Sequence, residues 1–138
     1  MTARLTSVLA VTLALCLASG GLAAAAQNGT YRGKTEGEYP VKVKVKNNRV
    51  TLFDASVYAS CGLSNFGIKF VFPPAGRAGA KAKIAGNGSF KVVFKGSPDV
   101  SFNDDKRTLK GRFRGGRVTG SMKVEGLCSA DTTFSARK

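Results

Sequence analysis

Apolar and polar residues alternate along much of the chain beyond residue 27, and this period of two is typical of strands with one buried face. The clearest run, residues 41–46, repeats Val-Lys three times, so the valines share one face and the lysines share the other. Asn47-Asn48 follows, a pair that tolerates positive φ, and Arg49 then begins another alternating run. These residues predict a β-hairpin with a two-residue turn.

A second hairpin is predicted near the C-terminus. Residues 109–114 alternate between apolar or small residues and cations, Gly115-Gly116 supplies the turn, and residues 118–124 return. The inward positions of the returning strand are Val118, Gly120, Met122 and Val124.

The two hairpins resemble each other in sequence. In each, an Arg-Val-Thr sequence opens the returning strand, and a cysteine lies four residues after a valine, at Cys61 and at Cys128. In the first hairpin the inward positions change from even to odd numbers. A β-bulge near Phe53-Asp54 accounts for the change, because a bulge inserts one residue and restores the face. Both cysteines then end long strands on the inner face, where they can pair.

Further strands complete an all-β prediction. Residues 80–84 are expected to pair with residues 90–94 across a three-residue loop at 86–88. Strands are also expected at residues 29–34, 66–72 and 132–136, with loops at 73–79 and 96–106. Eight or nine antiparallel strands built from hairpins predict an up-and-down β-barrel or a sandwich. We favour the barrel, because closure removes aggregation-prone edges.

The N-terminus is typical of a secretory signal. Arg4 supplies a positive start, residues 8–18 form a short apolar core, and small residues precede a cleavage site after Ala26. Lipid attachment at Cys16 is the alternative, but Leu15 is bulky for that processing site. We therefore expect a cleaved signal at residues 1–26, a single domain at 27–138 and a location outside the cytoplasm.

The cysteine count agrees with export. Cys16 leaves with the signal, so the mature chain keeps an even pair, Cys61 and Cys128. In a small exported domain such a pair usually forms a disulfide. Closing so long a loop contributes roughly 4 kcal/mol in the chain-entropy model.

The available side chains argue against most catalytic chemistry. The chain has no histidine and no tryptophan, which excludes Ser-His-Asp and Cys-His arrangements and histidine-based zinc sites. The eight acidic residues show no spacing that predicts a paired-carboxylate site. We expect neither an enzyme nor a bound cofactor or metal.

The charge balance favours an anionic partner. The full chain carries 22 basic and 8 acidic residues, a net charge of +14, and loss of Arg4 with the signal lowers it to +13. An exported protein of this charge would meet anionic polysaccharide or cell-wall polymer. The alternative is a cationic surface that only maintains solubility.

Eight cations on the two hairpins form the predicted anion-binding surface. Each hairpin has a strand with three cations on its outward face at about 7 Å intervals, and each turn sets one cation opposite another. Like charges directly across a strand pair are destabilising, which a bound anion would offset, although salt also screens them. The predicted residues are Lys42, Lys44, Lys46, Arg49, Lys110, Arg112, Arg114 and Arg117.

The sequence leaves two other kinds of partner to consider. A barrel of about eight strands can hold one small apolar ligand, or its side chains can simply fill the core. The residues predicted to line the interior are Val41, Val43, Val45, Phe90, Val92, Phe94, Phe113 and Met122. Nucleic acid is not expected, since it requires exposed aromatic rings, for which Tyr31, Tyr39, Tyr58 and Phe53 are the candidates.

Several short segments resemble small exported bacterial β proteins of uncharacterised function. They are Gly29-Thr30-Tyr31-Arg32-Gly33-Lys34-Thr35, Gly116-Arg117-Val118-Thr119-Gly120, and Cys128 with the segment Thr132 to Arg137. The resemblance implies export and an all-β fold, and it brings no catalytic or ligand-binding residues with it.

Overall fold

A computed structural model describes residues 26–96 and 104–138, and the predicted signal at residues 1–25 lies outside them. The described residues form nine antiparallel strands and confirm the all-β prediction. The strands are β1 (Gly29–Thr35), β2 (Pro40–Lys46), β3 (Arg49–Cys61), β4 (Ser64–Phe72), β5 (Ala82–Lys83), β6 (Ser89–Lys95), β7 (Lys106–Arg114), β8 (Arg117–Glu125) and β9 (Cys128–Arg137).

The centre of the fold is a fork between β3 and β9. The two strands pair directly at Cys61 with Cys128 and at Ser60 with Ser129. Beyond this point they diverge, and the hairpin of β1 and β2 fills the gap by pairing with β9 and β3. The four strands therefore close on themselves as the core of a barrel, with β4 outside β3 and β8, β7 and β6 following β9.

The predicted disulfide joins the two arms where the fork is narrowest. The sulfur atoms of Cys61 and Cys128 are 1.98 Å apart, and their Cα atoms are 4.2 Å apart. Cys128 is fully buried. The pairing was predicted correctly, but its place in the second hairpin was not. Cys128 begins β9 after a turn, which is held by a 2.9 Å hydrogen bond from the Leu127 amide to Asp105 Oδ1.

Both predicted two-residue turns are confirmed. Asn47 and Asn48 have φ values of 51° and 55°, which joins β2 to β3 with Lys46 opposite Arg49. Positive φ at both central residues gives a turn whose twist matches that of the flanking strands. Gly115, with φ of 57°, begins the turn between β7 and β8.

The bulge in β3 lies earlier than predicted. Val45 pairs with Val50 and Lys44 with Leu52, so the extra residue is Thr51 and not one near Phe53-Asp54. The Thr51 hydroxyl lies 3.3 Å from the Lys44 carbonyl oxygen, to which it donates a hydrogen bond. This earlier switch turns Leu52 outward and buries Phe53 completely, which is where the larger aromatic ring is needed to fill the barrel.

The predicted pairing of residues 80–84 with residues 90–94 is wrong. β5 pairs instead with the start of β3, and Asn48 ties it there by accepting the Ile84 amide hydrogen on its carbonyl oxygen at 3.1 Å. β6 pairs along its whole length with β7. The local turn at residues 85–89 does form, but strand pairing does not continue beyond it, because β5 pairs with β3 and β6 pairs with β7.

Aromatic side chains fill the interior. Tyr31 and Phe113 lie 5.1 Å apart between ring centroids, and Phe53 lies 4.9 Å from Phe134, both in edge-to-face geometry. Phe70 of β4 lies 5.5 Å from Phe94 of β6, so the outer strands at the two ends of the sheet approach each other through their side chains. Such pairs add about 0.5–1.5 kcal/mol each beyond the area they bury.

Candidate anion-binding surface

Five basic side chains occupy directly paired positions on five consecutive strands. Each position of this set lies opposite the next across one strand pair, in the order β2, β1, β9, β8, β7. We call them the basic row: Lys42, Arg32, Arg137, Arg117 and Arg114.

The alternation of each strand turns the basic row outward. In β1, β9 and β8 each arginine adjoins a buried residue, respectively Tyr31, Ala136 and Val118. Successive side chains of a strand point to opposite faces, so burial of these neighbours exposes the arginines. The four arginines are exposed and Lys42 is half-buried.

The row is long enough to contact several anionic groups at once. Neighbouring strands lie about 4.8 Å apart, so the four steps from Lys42 to Arg114 span about 19 Å. Adjacent positions of the row are one strand spacing apart, which is less than the Debye length of about 8 Å at physiological salt, so repulsion between their charges is only partly screened. Arg137 is repelled from both sides, since it lies between Arg32 and Arg117.

Three of the acidic residues form salt bridges with lysines outside the basic row. Within residues 26–96 and 104–138, the salt bridges join Glu38 to Lys34, Asp54 to Lys69, and Glu125 to Lys106 and Lys123, and none includes a residue of the basic row. A hydrogen bond and the charge of Lys123, followed by the charge of Lys106, lower the pKa of Glu125. Asp54 lies opposite Lys42 at one end of the row and forms its salt bridge with Lys69, while no carboxylate of the described residues lies opposite the four arginines.

A second row of paired positions, which we call the hydroxyl row, runs beside the basic row and is displaced from it by two residues along each strand. Its centre is formed by the hydroxyl residues Ser135 and Thr119, which lie opposite each other, with Lys34 opposite Ser135 and Arg112 opposite Thr119. Residues 34, 119 and 135 also line one open surface groove. Arg117 Nε donates a 3.1 Å hydrogen bond to Ser135 Oγ, which connects the two rows.

The eight predicted cations fall into separate groups on this surface. Lys42, Arg114 and Arg117 belong to the basic row, and Arg112 lies beside it. Lys46 and Arg49 oppose each other at the asparagine turn, where Lys83 of β5 extends the group to three. The other two lie apart from these groups: Lys44 opposite Thr30 and Leu52, and Lys110 opposite Lys91 and Ser121.

The fold brings the two hairpin turns to one end of the barrel. Asn28 Oδ1 accepts the Asn47 amide hydrogen at 2.9 Å, and the Gly116 carbonyl accepts the Lys138 amide hydrogen at 3.0 Å. Lys138 Nζ lies 3.4 Å from Gln27 Oε1, so the N- and C-terminal segments of the domain meet between the turns.

Sequence reasoning missed Arg32 and Arg137, the residues that connect the two predicted cation groups. Arg32 lies within a predicted strand, and Arg137 directly follows one. Their alternation indicates an outward position, but pairing between the first and last strands has no local signal in the sequence.

The interior residues pack against one another. Seven of the eight side chains predicted to line a cavity are buried, and Val92 is partly buried against the core. Two glycines mark close approach: a Cβ atom at Gly111 would lie 2.5 Å from a Phe90 ring carbon, and one at Gly120 would lie 2.7 Å from a Phe134 ring carbon. The positions predicted to face a ligand are therefore part of the packed hydrophobic core.

Two aromatic residues considered as exposed stacking groups are buried instead. Tyr31 and Phe53 are fully buried. Tyr31 points inward because its neighbours in β1 point outward. Phe53 points inward because the bulge in β3 lies earlier than predicted. Tyr58 is 60% exposed but lies on β3, which contributes no residue to the basic row.

Comparison of the chain with protein families, curated proteins and solved structures gave no match. The resemblance to small exported bacterial β proteins therefore stays a prediction. In residues 26–96 and 104–138, no helix has the length and apolar character needed to cross a membrane.

Proposed function

We propose that this chain is an exported, non-catalytic protein that binds anionic polysaccharides or other anionic polymers of the cell envelope through the basic row. The observation that carries the proposal is the direct pairing of four arginines across four strands, continued by Lys42 on β2, with no acidic residue opposite any of the arginines among the described residues. A polymer suits this site better than a small anion, because the row extends about 19 Å.

The arrangement is more specific than a surface that only keeps the protein soluble. Solubility requires net charge, which the cations could supply from scattered positions. Direct cross-strand pairing of like charges instead lowers stability by up to about 1 kcal/mol for each pair. A bound polyanion offsets this repulsion by its attraction to each cation. The proposal therefore explains why the pairing of cations is repeated along the row.

A nucleic acid is a weaker candidate for the polymer. Binding of single strands combines cations with aromatic side chains on which the bases stack. The residues of the basic row and of the adjoining hydroxyl row include no aromatic side chain. Hydroxyl and cationic groups without stacking rings suit a saccharide chain better.

The proposal is tested by comparing variants that lose the same number of positive charges at different places on the surface. In the first variant Arg32, Arg117 and Arg137 are each changed to Gln. The control carries Arg77→Gln, Lys81→Gln and Lys95→Gln, which are exposed positions outside the row. A third variant, with Lys46→Gln, Arg49→Gln and Lys83→Gln, removes the group at the asparagine turn.

Retention on an immobilised sulfated polysaccharide is then measured as a function of salt. The row variant should elute at much lower salt concentration. The slope of the logarithm of the binding constant against the logarithm of the salt concentration should be smaller by up to about one unit for each cation removed. The control and the turn variant should stay close to the unmodified protein. Equal losses in all three variants would show that only net charge matters and would refute the proposed site.

A further inference from the structure

The basic row is richer in arginine than the rest of the surface. The chain contains 13 lysines and 9 arginines, yet four of the five residues in the row are arginine, and Arg112 lies beside it on β7. The remaining arginines are Arg4, Arg49, Arg77 and the buried Arg107. If the row needed charge alone, lysine would serve equally well.

Arginine and lysine present different chemistry to an anion. The guanidinium group is planar and offers paired N–H donors that match two oxygens of one oxyanion, whereas the lysine ammonium acts as a compact point charge. Arg117 uses Nε for its hydrogen bond to Ser135. No hydrogen bond within the described part of the chain occupies its two Nη groups, so they remain available to a ligand.

We propose that the basic row recognises the oxyanion groups of a polysaccharide through bidentate guanidinium contacts, with the chain of the ligand lying across the strands. This inference rests on the proposed function and specifies its chemistry. The groups recognised present two oxygens side by side, as sulfate esters and uronate carboxylates do. The positive charge attracts the polymer, and the paired N–H donors of the arginines fix its position.

The hydroxyl row supports a saccharide as the bearer of these groups. Ser135 and Thr119 run parallel to the basic row at a distance of about 7 Å, which is two residues along a strand. A ligand following the basic row would meet these hydroxyls along its side, where its own hydroxyl groups can donate and accept hydrogen bonds. At one end of this row Arg112 favours a further anionic group, whereas Lys34 at the other end is already paired with Glu38 at 2.6 Å.

The inference is tested by substitutions that keep the positive charge and remove the planar guanidinium group. Arg32→Lys, Arg117→Lys and Arg137→Lys are made singly, with Arg77→Lys as the matched control in an exposed loop. Affinity is measured for a sulfated polysaccharide and for a polyuronate of similar length. Each row substitution should weaken binding about threefold to tenfold on at least one polymer, while the control should not change it.

The outcomes separate this inference from the proposed function. If the lysine variants bind both polymers as tightly as the unmodified protein while the glutamine variant does not, recognition is by charge alone and the inference is wrong. If the glutamine variant also binds normally, the proposed function itself fails. A loss confined to one polymer supports the inference and identifies the oxyanion as sulfate or carboxylate. Unchanged thermal unfolding midpoints verify that the variants are folded.

Discussion

Tyr31 and Arg32 illustrate how neighbouring residues of one strand are committed to different tasks. The Tyr31 ring is buried against Phe113, and its hydroxyl donates a 2.8 Å hydrogen bond to the Gln27 carbonyl. Arg32 points outward into the basic row. The alternation separates the two side chains, but it did not indicate which of them would be buried, and Tyr31 was among the residues considered as exposed aromatic rings.

Tyr31 makes the stability of the protein sensitive to alkaline pH. Burial raises the pKa of its phenol above the ordinary value of 10.0, so the folded state favours the neutral form. This contribution is fully present below pH 10.0 and is lost as the pH rises through the raised pKa. We expect Tyr31→Phe to cost about 1 kcal/mol at neutral pH, from the lost hydrogen bond, and to flatten the alkaline decline.

The measurement is urea unfolding of both proteins at neutral pH and at several pH values above 10.0. The difference in unfolding free energy should shrink as the pH rises, because only the unmodified protein has a buried phenol to ionise. All other titratable groups are the same in the two proteins, so their contributions cancel in the difference. A constant difference would contradict the assignment.

At the scale of elements, the fork between β3 and β9 determines which strands can join the site. The hairpin of β1 and β2 fits between the two arms, which sets Arg32 and Lys42 in line with Arg137. Strands and turns follow from local alternation and could be predicted. The pairing of β5 with β3 and of β1 with β9 could not, because each depends on how distant segments compete for one strand edge.

The disulfide should stabilise this fork without taking part in binding. Replacing Cys61 and Cys128 with Ala opens a loop between cysteines 67 positions apart, which we expect to lower the unfolding free energy by roughly 4 kcal/mol. Amide hydrogen exchange should accelerate first at Ser60 and Ser129, next to the lost bond. At temperatures below its unfolding midpoint, the variant should bind sulfated polysaccharide as the unmodified protein does. The reason is that the basic row crosses β9 at Arg137, at the end of the strand opposite Cys128. Reduced affinity in the folded variant would show that the account of the fork is wrong.

At the scale of the whole molecule, the positive charge is not evenly arranged. The carboxylates of Glu38, Asp54 and Glu125 pair with lysines, while four arginines gather along the basic row. The sequence predicted Lys42, Arg114 and Arg117 as cations of an anion-binding surface. It could not predict that they form one row, because this depends on Arg32 and Arg137, which closure of the barrel brings together from opposite ends of the domain.

The most direct test of the central claim is an NMR titration that follows each arginine side chain separately. A sulfated oligosaccharide is added to the isotopically labelled protein, and the Nε–Hε signals are monitored. The account predicts that the signals of Arg32, Arg114, Arg117 and Arg137 shift together with one affinity, while that of Arg77 stays unchanged. Shifts of equal size at Arg77 and at the arginines of the row would contradict it, because the ligand would then be following net charge and not a site.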